Sequence, residues 1–159
     1  MQAPKPMLAV RDLIRTVVTR LKWLPPLAAR VTLGIVFIQT GWGKLHDIPG
    51  TTQNFIGWHI PLPHVNAIMA ATTEFVGGCV MIAGLGTRIA AVPLMVVMTV
   101  AIITAKLPKM EDWTDFFGFD ELAYSIMFLW LGVSGAGKAS LDYLIGKKLG
   151  LMVEPDQQS

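Results

Sequence analysis

Four stretches of the chain carry mostly apolar side chains for about the length of a membrane crossing: Leu27 to Leu45, Val65 to Leu85, Ile89 to Leu107 and Phe119 to Gly137. Roughly 20 apolar residues, rising about 1.5 Å each, cross a hydrocarbon core about 30 Å thick. Lipid offers no partner to backbone N–H and C=O groups, so such stretches must be helical. The expected fold is therefore all-α, an integral membrane four-helix bundle. With 53% hydrophobic and only 15% charged residues, the chain is too apolar for a soluble domain, where about 25% is charged. Its 159 residues leave no room for a separate soluble domain beside the spans.

Residues 1–26 precede the first span as a basic arm. Val10, Leu13, Ile14, Val17, Leu21 and Leu24 recur at helical spacing, opposite Arg11, Asp12, Arg15, Thr19 and Lys22. This pattern predicts an N-terminal amphipathic helix lying on the membrane, with Trp23 at headgroup level and Pro25-Pro26 ending it; a solvated arm is the alternative. Arg11, Arg15 and Arg20 interrupt the apolar residues, so the segment does not read as a signal peptide. The membrane domain is expected over residues 27–145 and a cytoplasmic tail over 146–159, frayed from Glu154 to Ser159. Arg30 lies near enough to the end of the first span to snorkel. Pro93 falls in the first turn of the third span, where a missing N–H does no harm.

The connections are unequal. Gly84-Leu-Gly-Thr-Arg88 makes a tight turn, whereas His46 to His64 and Pro108 to Gly118 are longer and should share one side, with a short interfacial helix at Thr51 to Trp58. The N-terminal arm, Arg88, Lys138, Lys147 and Lys148 fall on the other side, which the lysine and arginine bias makes cytoplasmic. Both termini are thus expected on the cytoplasmic side of a bacterial-type inner membrane. The net charge of +2 comes with no basic-aromatic module, so nucleic acid is excluded as a partner.

Glu74 sits roughly ten residues from either end of the second span, near the bilayer midplane. It shares a helical face with Ala70, Ala71, Gly77, Gly78 and Met81, and small residues mark the side that packs closely on other helices. A charge there is costly unless a cation or donor meets it, so Glu74 reads either as a neutral hydrogen-bond donor or as a paired anion. Gln39, Thr40 and Thr99 lie at similar depth. A proton relay, a ligand contact and a polar clip between helices are all open roles.

A second polar group belongs to the side of the long connections. Lys44 ends the first span, Lys106 ends the third, and Glu121 opens the fourth with Tyr124 and Ser125 on its face. With Trp42 and His46 nearby, these ends could form a pocket for a quinone head group or small anion, or the lysines could snorkel with Glu121 pairing one of them. His46, His59 and His64 match no compact metal-ligand spacing, so no metal is expected. Cys79 has no second thiol in the chain, which excludes an intrachain dithiol centre. Gly132-Val-Ser-Gly-Ala-Gly137-Lys138-Ala139 imitates a phosphate-binding loop, yet Ala139 replaces the Mg²⁺-ligating Ser or Thr, and an apolar span precedes it where a strand is required. These glycines instead end the fourth helix, with Lys138 favouring its C-terminal dipole.

Several short motifs, in order and spacing, resemble the DoxX family of small four-helix membrane proteins: Leu33-Gly34, Gly41-Trp-Gly-Lys44-Leu45, Glu74-Phe-Val-Gly-Gly78, Leu85-Gly-Thr-Arg88, Asp120-Glu121-Leu122-Ala123 and Gly135-Ala-Gly-Lys138-Ala-Ser140-Leu-Asp142. The likeness covers about Arg30 to Leu144. It implies a membrane subunit associated with quinol oxidase or thiosulfate:quinone oxidoreductase systems, with Lys44, Glu74, Arg88 and Glu121 as pocket or structural polar positions. Many members of that family carry a histidine near the end of the third helix, where this chain has Lys106. A lysine can bind an anion but is a poorer proton shuttle and no ordinary metal ligand.

The expected function is an accessory role in a quinone-linked oxidoreductase system. The chain would bind a quinone head group or anchor a soluble or membrane redox partner, with no intrinsic cofactor and no catalysis alone. Lys44, Glu74, Lys106, Glu121, Tyr124, Trp42 and Gln39 are its pocket candidates, and Arg88 and Lys138 its structural polar residues. The rival expectation is a small-solute or proton transporter, or a membrane scaffold. The sequence specifies no oligomeric state.

Overall fold

A computed structural model describes the chain from Lys5 to Gly150, with side chains from Val10 onward. The predicted tail from Glu154 to Ser159 lies outside the described residues. The described residues form helices and turns with no strand. Seven α-helices follow in order: α1 Lys5–Leu21, α2 Leu24–His46, α3 Ile48–Gly57, α4 Pro63–Ala83, α5 Thr87–Ala101, α6 Asp120–Ser134 and α7 Leu141–Lys148. A π-helical turn, Ile102–Lys106, and a 3-10 turn, Leu107–Lys109, prolong α5, and a further 3-10 segment, Trp113–Gly118, leads into α6.

Four helices close a ring: α2 packs on α4, α4 on α5, α5 on α6 and α6 back on α2. Leu33, Phe37, Met81, Leu94, Met98, Phe128 and Leu131 fill its core. Phe37 meets Phe128 and Tyr124 edge-on, with ring centroids 5.0 and 5.7 Å apart, the arrangement that opposed ring quadrupoles favour.

Three segments are long and apolar enough to cross a membrane: Leu24–His46, Pro63–Ala83 and Thr87–Lys109. The expected fourth crossing is shorter. Its helix, α6, has 15 residues, or about 22 Å, because Gly135 breaks the helix with φ +82°. It completes the bundle without matching the other three in length.

Other boundaries move for local reasons. Lys22 and Trp23 form the turn after α1, and Pro25 and Pro26 open α2 instead of closing α1; the first turn has no use for the N–H that proline lacks. Pro93 lies inside α5, because that helix starts at Thr87 and not near Ile89. The interfacial helix starts earlier than expected, where Asp47 accepts a hydrogen bond from the Gly50 amide at 2.9 Å and so caps α3. On α1, Leu13, Ile14, Val17 and Val18 remain 45–65% exposed, an apolar row that the rest of the described chain does not cover.

The α2–α4 interface is close because glycines line it. A Cβ on Gly34 would come within 2.9 Å of Gly78 O, one on Gly41 within 2.9 Å of Ala71 O, and one on Gly78 within 2.7 Å of Ile38 N. Backbones that approach this far bring side chains from both helices into one polar layer.

Arg30 departs from its sequence reading. It does not snorkel: it is fully buried, with its guanidinium donating to Met81 O at 3.5 Å and to Ala139 O. Gly84, with φ +65°, leaves room for it, since a Cβ there would overlap Nη1. Asp142 ties the same end together: it accepts from the amides of Gly86 at 2.7 Å and Thr87 at 3.2 Å, capping α5, while its own amide donates to Gly84 O at 3.0 Å.

Candidate functional site

A cavity of about 950 Å³ opens at the end of the bundle that carries the long connections. Its walls are mostly apolar, with Val36 and Phe37 from α2, Met69 and Ala70 from α4, and Val92, Val96 and Val97 from α5. Phe55 and Trp58, on and just after α3, together with Ile60 and Pro61, form the side nearest the connection. That connection reverses through His59 and Leu62, both at positive φ, a conformation uncommon outside glycine.

Two ion pairs stand in this cavity. Lys44 on α2 pairs with Glu74 on α4, and Lys106 at the end of the π turn pairs with Glu121 on α6 at 3.1 Å. Glu74 lies 11 residues past Pro63, about 16 Å into its helix, and its side chain is 1% exposed. Lys44 starts near the end of α2 and reaches inward, keeping 34% of its side chain exposed. The long methylene stem allows this: the charge meets a deep carboxylate while the stem lies along apolar wall.

Each carboxylate is only half satisfied. Glu74 Oε2 and Glu121 Oε2 are buried and have no hydrogen-bond partner among the described residues. A buried acceptor without a donor costs about 1–3 kcal/mol, so these two oxygens are the places where an incoming donor would gain most. The lysines supply the complementary feature, N–H groups directed at the same cavity. The site can therefore offer both donors and acceptors to one polar group while holding an apolar body.

The structure unites two groups that the sequence reading kept apart, the deep Glu74 and the outer Lys44, Lys106 and Glu121. Thr40 and Tyr124 also line the cavity, with Thr73, Thr104 and Asn66, which the sequence did not single out. Gln39 and Trp42 do not line it. Gln39 is exposed, and Trp42 turns away to pack on His46 and Phe75, with centroids 4.1 and 5.6 Å apart. Thr99, another expected neighbour of Glu74, bonds back to Met95 O at 2.8 Å on an exposed face. Ser125 likewise donates to Glu121 O at 2.8 Å.

The aim of Lys106 depends on a feature no residue pattern announced. The π turn at Ile102–Lys106 spreads its turn over more residues than an α-helix does, and so moves every later side chain round the axis. The histidines serve elsewhere: His46 Nδ1 lies 2.9 Å from Trp42 O, and His64 Nδ1 lies 3.4 Å from Thr52 Oγ1. Arg88 and Lys138 stand at the opposite end of the bundle, beside Gly135 and Asp142.

An all-helical bundle with spanning helices and a charged cavity between them defines an integral membrane protein with a candidate ligand site. The chain belongs to the DoxX family, whose family model, described as DoxX, matches residues 26–107. Lys44, Glu74 and Lys106 fall inside that match, and Glu121 falls beyond it. Among curated relatives, the Bacillus subtilis (strain 168) protein named "Putative oxidoreductase CatD" is 35% identical over 128 residues, covering 78% of this chain and 90% of the relative. The "Inner membrane protein YqjF" of Escherichia coli (strain K12) is 31% identical over 135 residues, covering 77% and 92%. A Mycobacterium tuberculosis membrane protein is 31% identical over 140 residues, covering 78% and 84%. No solved structure matches the chain.

Proposed function

We propose that this DoxX protein is an accessory subunit of a quinone-linked oxidoreductase system and holds a quinone or quinol head group between its two lysine–glutamate pairs. The observation that carries the reading is the pair of buried carboxylate oxygens, Glu74 Oε2 and Glu121 Oε2, without donors among the described residues in a mostly apolar cavity. A quinol hydroxyl donates to such an oxygen, and a quinone carbonyl accepts from Lys44 or Lys106. The same four side chains can thus hold either redox form once the glutamates turn their free oxygens to the ligand.

Access suits a lipid-soluble ligand. Met69, Val92 and Val96 line the cavity and are 60%, 56% and 55% exposed, so the opening lies on surface that lipid covers. The quinone supplies the electron-carrying chemistry, and a redox partner enzyme exchanges electrons with it; the name of the B. subtilis relative is in keeping with this setting. The basic arm and Lys138, Lys147 and Lys148 support an orientation with both termini on the cytoplasmic side of an inner membrane, as the positive-inside rule favours.

The test is purification in mild detergent, solvent extraction and mass spectrometry of retained quinone and of co-purifying proteins. Wild-type protein should retain quinone, and Glu74→Gln or Lys44→Ala should release most of it. Proteoliposome uptake of a small solute or protons, with no quinone retained, would replace this reading by the transport one.

A further inference from the structure

The opposite end of the bundle carries a second concavity, of about 500 Å³, lined by Arg88, Ser134 to Lys138, Ser140, Asp142 and Tyr143. We propose that it binds the phosphodiester head group of an anionic lipid, with Arg88 and Lys138 as its cationic contacts.

The charges in this concavity are unequal in their commitments. Asp142 is occupied, since its two oxygens accept from the amides of Gly86 and Thr87. Arg88 and Lys138 belong to none of the ion pairs among the described residues, which are Arg11–Asp12, Lys44–Glu74 and Lys106–Glu121. The concavity therefore holds two cations without ion-pair partners and one carboxylate turned to backbone amides, a net excess of positive charge. A guanidinium offers a planar fork of N–H donors to phosphate oxygens, and an ammonium adds a mobile point charge.

The rim is held in shape before any ligand arrives. Ala139 O is fixed from behind by the buried Arg30, and Ser140 Oγ donates to Gly137 O at 2.6 Å while accepting from the Tyr143 amide at 3.1 Å. Gly135 has no side chain to displace the Arg88 guanidinium, whose Nε and Nη2 would lie 3.2 and 3.4 Å from a Cβ there. The amides of Gly137 and Lys138 donate to no protein acceptor among the described residues.

Position selects the lipid. Arg88 is the second residue of the span Thr87–Lys109, at the depth where head groups meet the hydrocarbon. Ile89 and Val133, next to the concavity on α5 and α6, are 80% and 72% exposed and give an acyl chain an apolar surface. The loop that imitates a nucleotide-binding motif thus has a phosphate role of another kind, with α6 before it and no strand.

The test is native mass spectrometry of the full chain in mild detergent with equal concentrations of dioleoyl phosphatidylglycerol and dioleoyl phosphatidylcholine. Wild-type protein should retain phosphatidylglycerol about thirtyfold better, the scale expected of two interfacial cations. Arg88→Gln with Lys138→Gln should abolish that preference, each single substitution should lower it, and Arg88→Lys with Lys138→Arg should keep it. Lys147→Gln with Lys148→Gln removes the same charge from α7 and should leave the preference intact. The proposal is overturned if the single Arg88→Gln and Lys138→Gln proteins, monodisperse by gel filtration, keep the wild-type preference, or if the α7 substitutions remove it as completely. Inorganic phosphate should fail to displace the lipid at equal concentration; displacement there would overturn the lipid as occupant.

Discussion

Arg30 and Glu74 are both fully buried charges at the interface of α2 and α4, one toward each end of the bundle, and their surroundings differ. Arg30 donates to backbone carbonyls of two separate segments, at Met81 and Ala139, and is enclosed against Gly84. Glu74 meets one flexible side chain, Lys44, lines a cavity, and has a second oxygen that is buried without a partner among the described residues. Burial by itself therefore does not mark a functional charge. A charge committed to backbone acts as a staple, whereas one paired to a movable side chain beside empty volume can exchange partners.

That contrast should break most sharply at Arg30. Arg30→Leu removes two charge-assisted bonds, each worth about 1.5–3 kcal/mol, that tie α2 to the end of α4 and to the segment before α7. We expect a loss of about 3 kcal/mol or more in detergent unfolding, with quinone retention lost only as a consequence of unfolding. At the other end, Lys44→Met leaves Glu74 without its cation, a change smaller than the roughly 3–5 kcal/mol of fully buried pairs because the lysine side chain is 34% exposed. Lys44→Met combined with Glu74→Gln should recover most of that stability and none of the quinone retention. Recovery of both would show that the pair is only a clip.

Smaller effects sharpen the same comparison. Gly41→Ala places a methyl against the α4 backbone and should cost about 1–3 kcal/mol by pushing α2 away and pulling Lys44 off Glu74. Lys106→Met should cost less than about 1 kcal/mol, because the lysine side chain is 40% exposed, yet it should weaken quinone retention measurably. Stability and retention would then part company at Lys106 and move together at Arg30.

The smallest effect lies in the connection before α6. The amides of Asp112 and Glu111, both donating to Asp115, hold its carboxyl below the usual carboxylate range. A depressed value means that the contribution is present above the unfolded carboxyl value of about 3.9 and disappears as pH falls through the folded one. Hydrogen exchange at the Glu111 and Asp112 amides should therefore speed up only in strong acid, with the bundle itself unchanged.

Much of this was readable in the residues. Long apolar runs must be helical in lipid, and a carboxylate in the middle of one must turn toward other helices, so the bundle and the inward Glu74 follow from composition and spacing. The sequence also nominated Lys44, Lys106, Glu121 and Tyr124. It could not pair them, since Lys44 and Glu74 are separated by 30 positions and meet because Gly34, Gly41 and Gly78 let two backbones approach. It misjudged Gln39 and Trp42, because depth along a helix says nothing of which way a side chain faces once neighbours are chosen. It missed the role of Arg30, whose acceptors on Met81 and Ala139 are backbone atoms that any residue would supply.

The sequence by itself determined that the chain is helical and membrane-embedded, about where its three long spans lie and which charges need company. These are one-dimensional consequences of hydropathy and helical rise. Only the tertiary structure decided which cation serves which anion, that a π turn aims Lys106, and that Arg30 is held by backbone carbonyls while Glu74 is held by one side chain. Such choices depend on helix separation and rotation, which arise from contacts between segments distant in the chain and leave no periodic trace in either segment alone.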